Sequence, residues 1–389
     1  MPHKRPAIER RILSALDAAP SRIPVILGGC GSGRTALLQR ISHLIGTGNS
    51  QYIDAERVTS TPEGLLAAIT ADSPYASGAD PSIFDSERRT ARDSFEALVS
   101  FFCNNTRSTH NTPTFLIDEV LEFKTLESFP GLRGALREFL AALGQSPNRF
   151  AISSRYINRS LHLLRDLPER FEVIQISPLD PSETIDTLRD LGVGRNEDER
   201  SDIGRMVHAL TNGRPVYVSA LAAALSATKG ASAGDPVSAL ASQLSTRSPL
   251  YSTCRFCYEL RLHRARGYGA LKAILAILAD EEPLTLTQIA QRLRRTPGST
   301  KDYLSWLEDV DVISVRQKRY SYTDPIMRLW VRLHGRPTPP TDIEIAPEVQ
   351  EFAVQRLPYM ESAPQVPAST GTKMQPTLDR TSWEMLEID

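Results

Sequence analysis

Eight residues limit this chain more than any other stretch: Gly28-Gly29-Cys30-Gly31-Ser32-Gly33-Arg34-Thr35. They follow the short β-like run Ile23–Leu27 and open a helical stretch, Thr35–Ile45. The segment fits G-x-x-x-x-G-K-[ST] at every fixed position but one, where Arg34 replaces the lysine. Glycines let backbone N–H groups wrap an anion with no Cβ in the way. A helix starting directly behind the loop adds partial positive charge. The Thr35 hydroxyl is placed for a magnesium ion, and a basic side chain at position 34 for the outer phosphates. Arginine keeps the charge there, but as a planar fork rather than a compact ammonium. The plain alternative is a Gly-rich turn that only joins a strand to a helix.

A site of this kind needs a second strand that ends in an acid. Thr114-Phe115-Leu116-Ile117-Asp118-Glu119 provides one, apolar up to its last two residues. Its carboxylates then emerge at the C-terminal edge of the sheet, where open α/β sheets bind ligands. Asp118 is expected to hold Mg²⁺ through water and Glu119 to polarise an attacking water. Further β-like runs at Gln51–Ile53, Phe150–Ser153 and Phe171–Ile176 alternate with helical spacing at Ala7–Ala18, Glu87–Phe102 and Leu132–Leu143. Alternation over Ile23–Ile176 predicts a mostly parallel sheet with helices on both faces. Ser73–Ser86 reads as a loop, and Asp54 and Glu56 as loop caps.

Lys+Arg is 45 against Asp+Glu 46, so a nucleic-acid partner would have to meet a local patch rather than a basic whole. Four cysteines are too few for a disulfide scaffold and fit a reducing, cytoplasmic setting. No apolar run approaches the ~18 residues of a membrane span, so no membrane partner is expected. Cys254-Arg255-Phe256-Cys257 with His263 has half of a zinc pattern, but no second Cys pair completes it; buried thiols on a helix are the preferred reading.

After Pro178 the strands stop. Pro181–Leu191, Asp198–Leu210 and Pro215–Leu225 read as three helices, and Thr228–Pro236 as a connection. Gly269–Leu278, Thr287–Leu293 and Ser299–Glu308 are three more, followed by a hairpin of Val312–Val315 and Tyr320–Tyr322. Helix, helix, tight turn, helix and hairpin is the order of a winged helix-turn-helix. Ser299, Thr300 and Lys301 would then open a recognition helix, where groove contacts usually sit. Arg292, Arg294, Arg295, Lys301, Arg316, Lys318 and Arg319 are the densest basic cluster of that module. Such a patch would bind DNA phosphates in a salt-dependent way; a protein-interaction module is the alternative. Past Gly335 the chain is Pro-rich and patternless apart from Glu348–Gln355, and is expected to be largely disordered.

Taken together, Gly28–Thr35, Thr114–Glu119, Ile152-Ser153-Ser154-Arg155, Ile174–Leu179 and Thr211-Asn212-Gly213-Arg214-Pro215 resemble, in their order, the AAA+/STAND-type P-loop ATPases. The likeness is greatest to the prokaryotic archaeal-ATPase and origin-recognition-like group, and covers about Ile8 to Leu333. It implies an α/β fold: a P-loop NTPase parallel sheet core over 1–178, an all-α lid over 179–235, and a winged helix-turn-helix domain over 236–335, with 336–389 as the disordered tail. It implies ATP and Mg²⁺ as ligands, ATP hydrolysis to ADP and phosphate, and a nucleotide-dependent homo-oligomer. Residue by residue, Gly28, Gly29, Cys30, Gly31, Ser32, Gly33, Arg34 and Thr35 would bind the nucleotide, and Thr35 and Asp118 the metal. Glu119 would be the catalytic base, Ser153 or Ser154 the polar sensor, and Arg214 the lid arginine closing on the γ-phosphate. Arg155 would be a phosphate or neighbour contact, Arg170 a trans-acting arginine, and Ile8 and Arg11 the adenine flank. Tyr322–Val331 resembles the group's closing segment. Arg34 departs from the pattern and bears on hydrolysis more than on binding. The reading is a slow, nucleotide-driven switch, or else a nucleotide-locked scaffold with negligible turnover.

Overall fold

The structure is a computed structural model. It describes residues 5–357 except 47, 77–89, 105–111, 166, 168, 228–233, 263, 264, 266 and 337. Its first half runs α1 (Pro6–Asp17), β1 (Ile23–Leu27), α2 (Arg34–Ile45), β2 (Ser50–Asp54), α3 (Ala55–Val58), α4 (Pro62–Ala71) and α5 (Ala91–Asn104). It continues through β3 (Thr114–Asp118), a 3-10 helix (Val120–Ser128), α6 (Ala135–Gln145), β4 (Arg149–Ser154), α7 (Ile157–Leu164) and β5 (Phe171–Gln175). The five strands pair in the order β2-β3-β4-β1-β5, all parallel.

Side-chain alternation explains why both sheet faces are covered. On β3, Phe115 and Ile117 enter one buried cluster and Leu116 the other. The first is aromatic: Phe102 lies 4.9 Å from Phe115 edge-on, and Phe123 stacks on Phe139 at 4.5 Å. The second is aliphatic, with Ile12 and Leu16 of α1 and Leu38 and Ile41 of α2. A strand apolar on both sides is what a parallel, doubly covered sheet requires. The strand order sets β4 between β1 and β3, with Ile26 level with Ser153. The glycine loop and the acid tip are therefore separated by one strand, whose own tip is Ser153-Ser154.

The second half is α8 (Pro181–Asp190), α9 (Glu197–Thr211), α10 (Pro215–Ala227), α11 (Pro236–Leu244), α12 (Pro249–Leu262) and α13 (Tyr268–Asp280). Then come β6 (Leu284–Thr285), α14 (Leu286–Leu293), α15 (Pro297–Asp309), β7 (Ile313–Arg316), β8 (Arg319–Tyr322), α16 (Pro325–His334) and α17 (Asp342–Val354). The three short strands form an antiparallel sheet in the order β6-β8-β7. One buried cluster runs from Leu179 to Leu357, so helices on both sides of residues 235 and 335 share a core.

Two expectations need correction here. The segment after Gly335 holds a helix, α17, that begins before Glu348. Ile345, Val349 and Ala353 recur every fourth residue and are buried, so the helix packs by one stripe despite Pro347. The rest of the expected tail, 358–389, lies outside the described residues, as do most of Ser73–Ser86 and of the Thr228–Pro236 connection. Second, the cysteines are not all thiols: Cys30 is disulfide-bonded to Cys257, while Cys254 is free and buried. Sequence composition shows cysteine number, not which two residues the fold brings together. Among the described residues no helix is long and apolar enough to cross a membrane.

Candidate functional site

All five β1 residues are buried, which fixes the point where the chain leaves the sheet. Gly31 (φ +76°) and Gly33 (φ +89°) take left-handed conformations that turn it into α2. Gly31 has a second reason: a Cβ there would lie 2.3 Å from Val216 Cγ1, because α10 packs directly on the loop. The Val216 N–H also donates to the Gly31 carbonyl at 3.2 Å.

Arg34 lies inside this loop and is 7% exposed. Its Nη1 donates to the Gly28 carbonyl, to the Gly29 carbonyl at 2.6 Å and to Ser32 Oγ at 3.0 Å. Its Nη2 reaches Glu119 Oε1 at 2.6 Å. The forked guanidinium thus joins the loop to the acid strand through two separate nitrogens.

Asp118 is the hub of the hydroxyl side. Thr35 Oγ1 donates to its Oδ2 at 2.6 Å, Tyr52 OH to the same oxygen at 3.0 Å, and Ser153 Oγ to Oδ1. Burial, then the Asp118 charge, hold the Tyr52 phenol far above its ordinary pKa. Asp54 at the β2 tip is level with Asp118, and burial raises its carboxyl, with the Asp118 charge adding to that. Thr35 and Asp118 offer oxygen donors only, the chemistry that suits a magnesium ion. Among the described residues no group of three or more His, Cys, Asp or Glu forms a metal cluster; His263 of the half zinc pattern lies outside them, and Cys257 is in the disulfide.

Glu119 is buried and sits at φ +56°, a left-handed position uncommon for a non-glycine residue. Its carboxylate meets two guanidiniums: Arg34 through Oε1, and Arg155 through Oε2, with Nε at 3.0 Å and the backbone N–H at 3.1 Å. Burial would raise its pKa, but the Arg34 and Arg155 charges outweigh that and hold it below the usual range. Ser153 Oγ also accepts the Glu119 N–H at 3.2 Å.

Arg214 stands on the other side of the loop. Its Nη1 lies 3.3 Å from the Cys30 carbonyl and 3.2 Å from Asp324 Oδ2. Asp324 is buried, accepts Tyr217 OH at 2.6 Å, and caps α16 through the Ile326 and Met327 N–H groups. Arg214 therefore connects the Gly28–Thr35 loop to the segment Tyr322–Val331.

The structure thus brings Gly28–Thr35, Asp118, Glu119, Ser153 and Arg214 around one loop. Other arginines are placed differently. Arg155 is buried and pairs with buried Glu119 and with exposed Glu56, which lies in α3 rather than capping a loop. Arg170 donates to the carbonyls of Ser21, Leu143, Ser146 and Asn148, tying the end of α6 to the sheet rather than facing a neighbour. Arg11 pairs with Glu172 at 2.8 Å, while Ile8 packs on the aliphatic cluster. Arg292, Arg294, Arg295, Lys301, Arg316, Lys318 and Arg319 are all exposed. Thr300 is not: it is fully buried, and its Oγ1 donates to the Thr296 carbonyl at 2.9 Å, so only Ser299 and Lys301 of that trio reach the surface.

Sequence reasoning missed Tyr52, Asp324 and the cysteine pair. Tyr52 had a local signal, since it lies on the strand that ends at Asp54. The other two depend on contacts between distant parts of the chain.

No protein-family model matches this sequence, and no curated protein matches it. Solved structures do. A Walker-type ATPase of Pyrococcus abyssi is similar with a TM-score of 0.62 and 16% identity, over 85% of this chain and 96% of that one. Looser likenesses include a STAND protein with a tetratricopeptide-repeat sensor from Pyrococcus horikoshii (TM-score 0.36, 15% identity), of which this chain spans 45% while 91% of this chain is covered. Another is the Drosophila ORC bound to DNA (TM-score 0.39, 13% identity, 85% of this chain and 94% of that one). The fold is that of the P-loop ATPases, with a parallel five-stranded sheet among helices.

Proposed function

We propose that this protein binds ATP with Mg²⁺ and acts as a slow ATPase switch that repositions its C-terminal module. The observation that carries this reading is the path Cys30–Arg214–Asp324, which runs from the phosphate loop to the start of α16. The loop amides and the α2 N-terminus would receive phosphate, and Thr35 and Asp118 would hold the metal. Bound Mg²⁺ supplies charge neutralisation at the outer phosphates. Arg214 would move toward the γ-phosphate, loosening its pair with Asp324 and with it the seat of α16. Glu119 would be the base, and Ser153 the polar group that touches the γ-phosphate or orients the water. We read α13 to β8 as the winged helix, with the seven exposed basic residues as its DNA face.

Thr35→Ala and Asp118→Ala should each weaken Mg·ATP binding at least tenfold in calorimetry, the scale of a lost charged or metal contact. Unchanged affinity in both variants would remove the site. Turnover of the same sample, with and without duplex DNA, separates a DNA-coupled switch from a protein-binding one.

A second reading, the nucleotide-locked scaffold with negligible hydrolysis, is favoured by one feature. Glu119 is held by two guanidiniums, and a carboxylate so stabilised is a weak base.

A further inference from the structure

Helix α12 lies over the phosphate loop. Its buried residues Cys254, Cys257, Tyr258, Arg261 and Leu262 recur at helical spacing, so Cys257 and Arg261 share one face a turn apart. Cys257 is bonded to Cys30 of the loop. Arg261 is 4% exposed, and its Nη2 lies 4.0 Å from the point where a Cβ on Gly29 would stand. Arg214 Nη1 lies 3.5 Å from the same point. Two guanidiniums thus converge on the backbone of Gly29.

Their charges are not balanced. The carboxylate beside them, Asp324, is bound to Arg214 and to Tyr217. Asp311, the other nearby acid, accepts the Ile157 and Asn158 N–H groups. Among the described residues no carboxylate lies within ion-pair distance of Arg261. Burial, and then the charge of Arg214, make its guanidinium harder to keep protonated. A buried, unpaired cation beside a second cation is costly unless an anion joins it. The neighbouring surface is a phosphate loop, so an anion is what this place would take.

We infer that Arg261 is a phosphate-positioning residue: with Arg214 it binds the outer phosphate of a nucleoside triphosphate seated in the Gly28–Thr35 loop. This rests on the nucleotide reading above. It adds a direct sensor of phosphate on α12, beyond the lid. Excess positive charge favours the more highly charged ligand, so Arg261 raises the preference for ATP over ADP.

The test uses the full chain in reducing buffer, with ATP, ADP and AMP titrated by calorimetry and thermal melts of the apo and ATP-saturated protein. Arg261→Met is expected to lower ATP affinity about 10- to 100-fold, ADP affinity less, and AMP affinity not at all. Apo Arg261→Met should melt at or above the wild-type temperature, because an unpaired buried charge is gone, while the ATP-induced rise in melting temperature shrinks. A purely structural arginine gives the reverse: an apo protein of lower melting temperature with the ATP-to-ADP ratio intact, and that result overturns the assignment. Should Arg261→Met not fold, Arg261→Gln decides. It keeps a polar side chain and loses the charge, and an ATP-to-ADP ratio equal to wild type in that variant overturns the assignment too. A wild-type chain that binds neither ATP nor ADP refutes the proposed function itself, a different failure from wild-type binding that Arg261 variants share unchanged.

Discussion

At the residue scale the decisive atom group is the Arg34 guanidinium. It bonds the loop carbonyls with one nitrogen and Glu119 with the other. Lysine has one cationic centre and a shorter reach, so Arg34→Lys frees Glu119 from one of its two cations. The carboxylate then moves toward its ordinary pKa and becomes a better base. Turnover should rise about tenfold or more, with little change in ATP affinity. Steady-state phosphate release checks this, and a fall in turnover would show that the loop is shaped for arginine. Glu119→Gln acts twice. It should lower any hydrolysis about 100-fold as a lost base. It should also cost about 3–5 kcal/mol of stability, since Arg34 and Arg155 lose a buried counter-charge. Urea melts and phosphate release on one sample separate the two effects. The identity of Arg34 was plain in the sequence, and so was its departure from the lysine pattern. Its pairing with Glu119 was not, because nothing local in either segment says that a fork will bridge them.

At the element scale, the strand tips were legible and the helices after Pro178 only partly so. Apolar runs ending in Asp118 or in Ser153-Ser154 carry their own end signals, and the Asn212–Pro215 stretch marks a helix start. Helix α12 carried no such mark. Its stripe of Cys254, Cys257, Tyr258 and Arg261 shows a buried face but not what covers it, and the two cysteines there resembled half a zinc site. The cover is the phosphate loop, 227 residues away along the chain. That bond closes a long loop, so the oxidised protein should be more stable than Cys257→Ser by about 2–4 kcal/mol. It also keeps α12 on Gly28–Thr35, so nucleotide should enter and leave more slowly when the bond is formed. Stopped-flow release of a fluorescent ATP analogue, with and without reductant, measures this. Rates equal in both conditions would mean that α12 need not move for exchange.

At the scale of the whole molecule, two polar contacts join the C-terminal half to the core, beside the Cys30–Cys257 bond and the packing of α10 on the loop. One is the Cys30–Arg214–Asp324 path. The other is α15 against α7, where Asp311 accepts the first N–H groups of α7, the Asn158 amide donates to the Glu308 carbonyl at 2.9 Å, and Arg159 lies 4.5 Å over the Trp306 ring. The basic residues Arg294, Arg295 and Lys301 remain exposed at the opposite end of the turn and helix. The second seat should respond to pH. Burial raises the Asp311 carboxyl to about 6, against the lowering effect of the Ile157 and Asn158 N–H groups and of Arg261 and Arg159. A group whose pKa is higher in the folded state than in the unfolded one takes up a proton on folding. Its stabilising share is therefore full below about pH 4, the ordinary aspartate value, and is lost as pH rises through about 6. Asp311→Asn keeps an acceptor for the α7 N–H groups but never ionises. The variant should match wild type near pH 4 and exceed it by a growing margin in melting temperature up to about pH 7, with no further change above. A margin that stays constant from pH 4 to 8 would mean that Asp311 does not hold its proton in the seated state. The ionised carboxylate would then be the form that caps α7, and the seat would owe nothing to protonation.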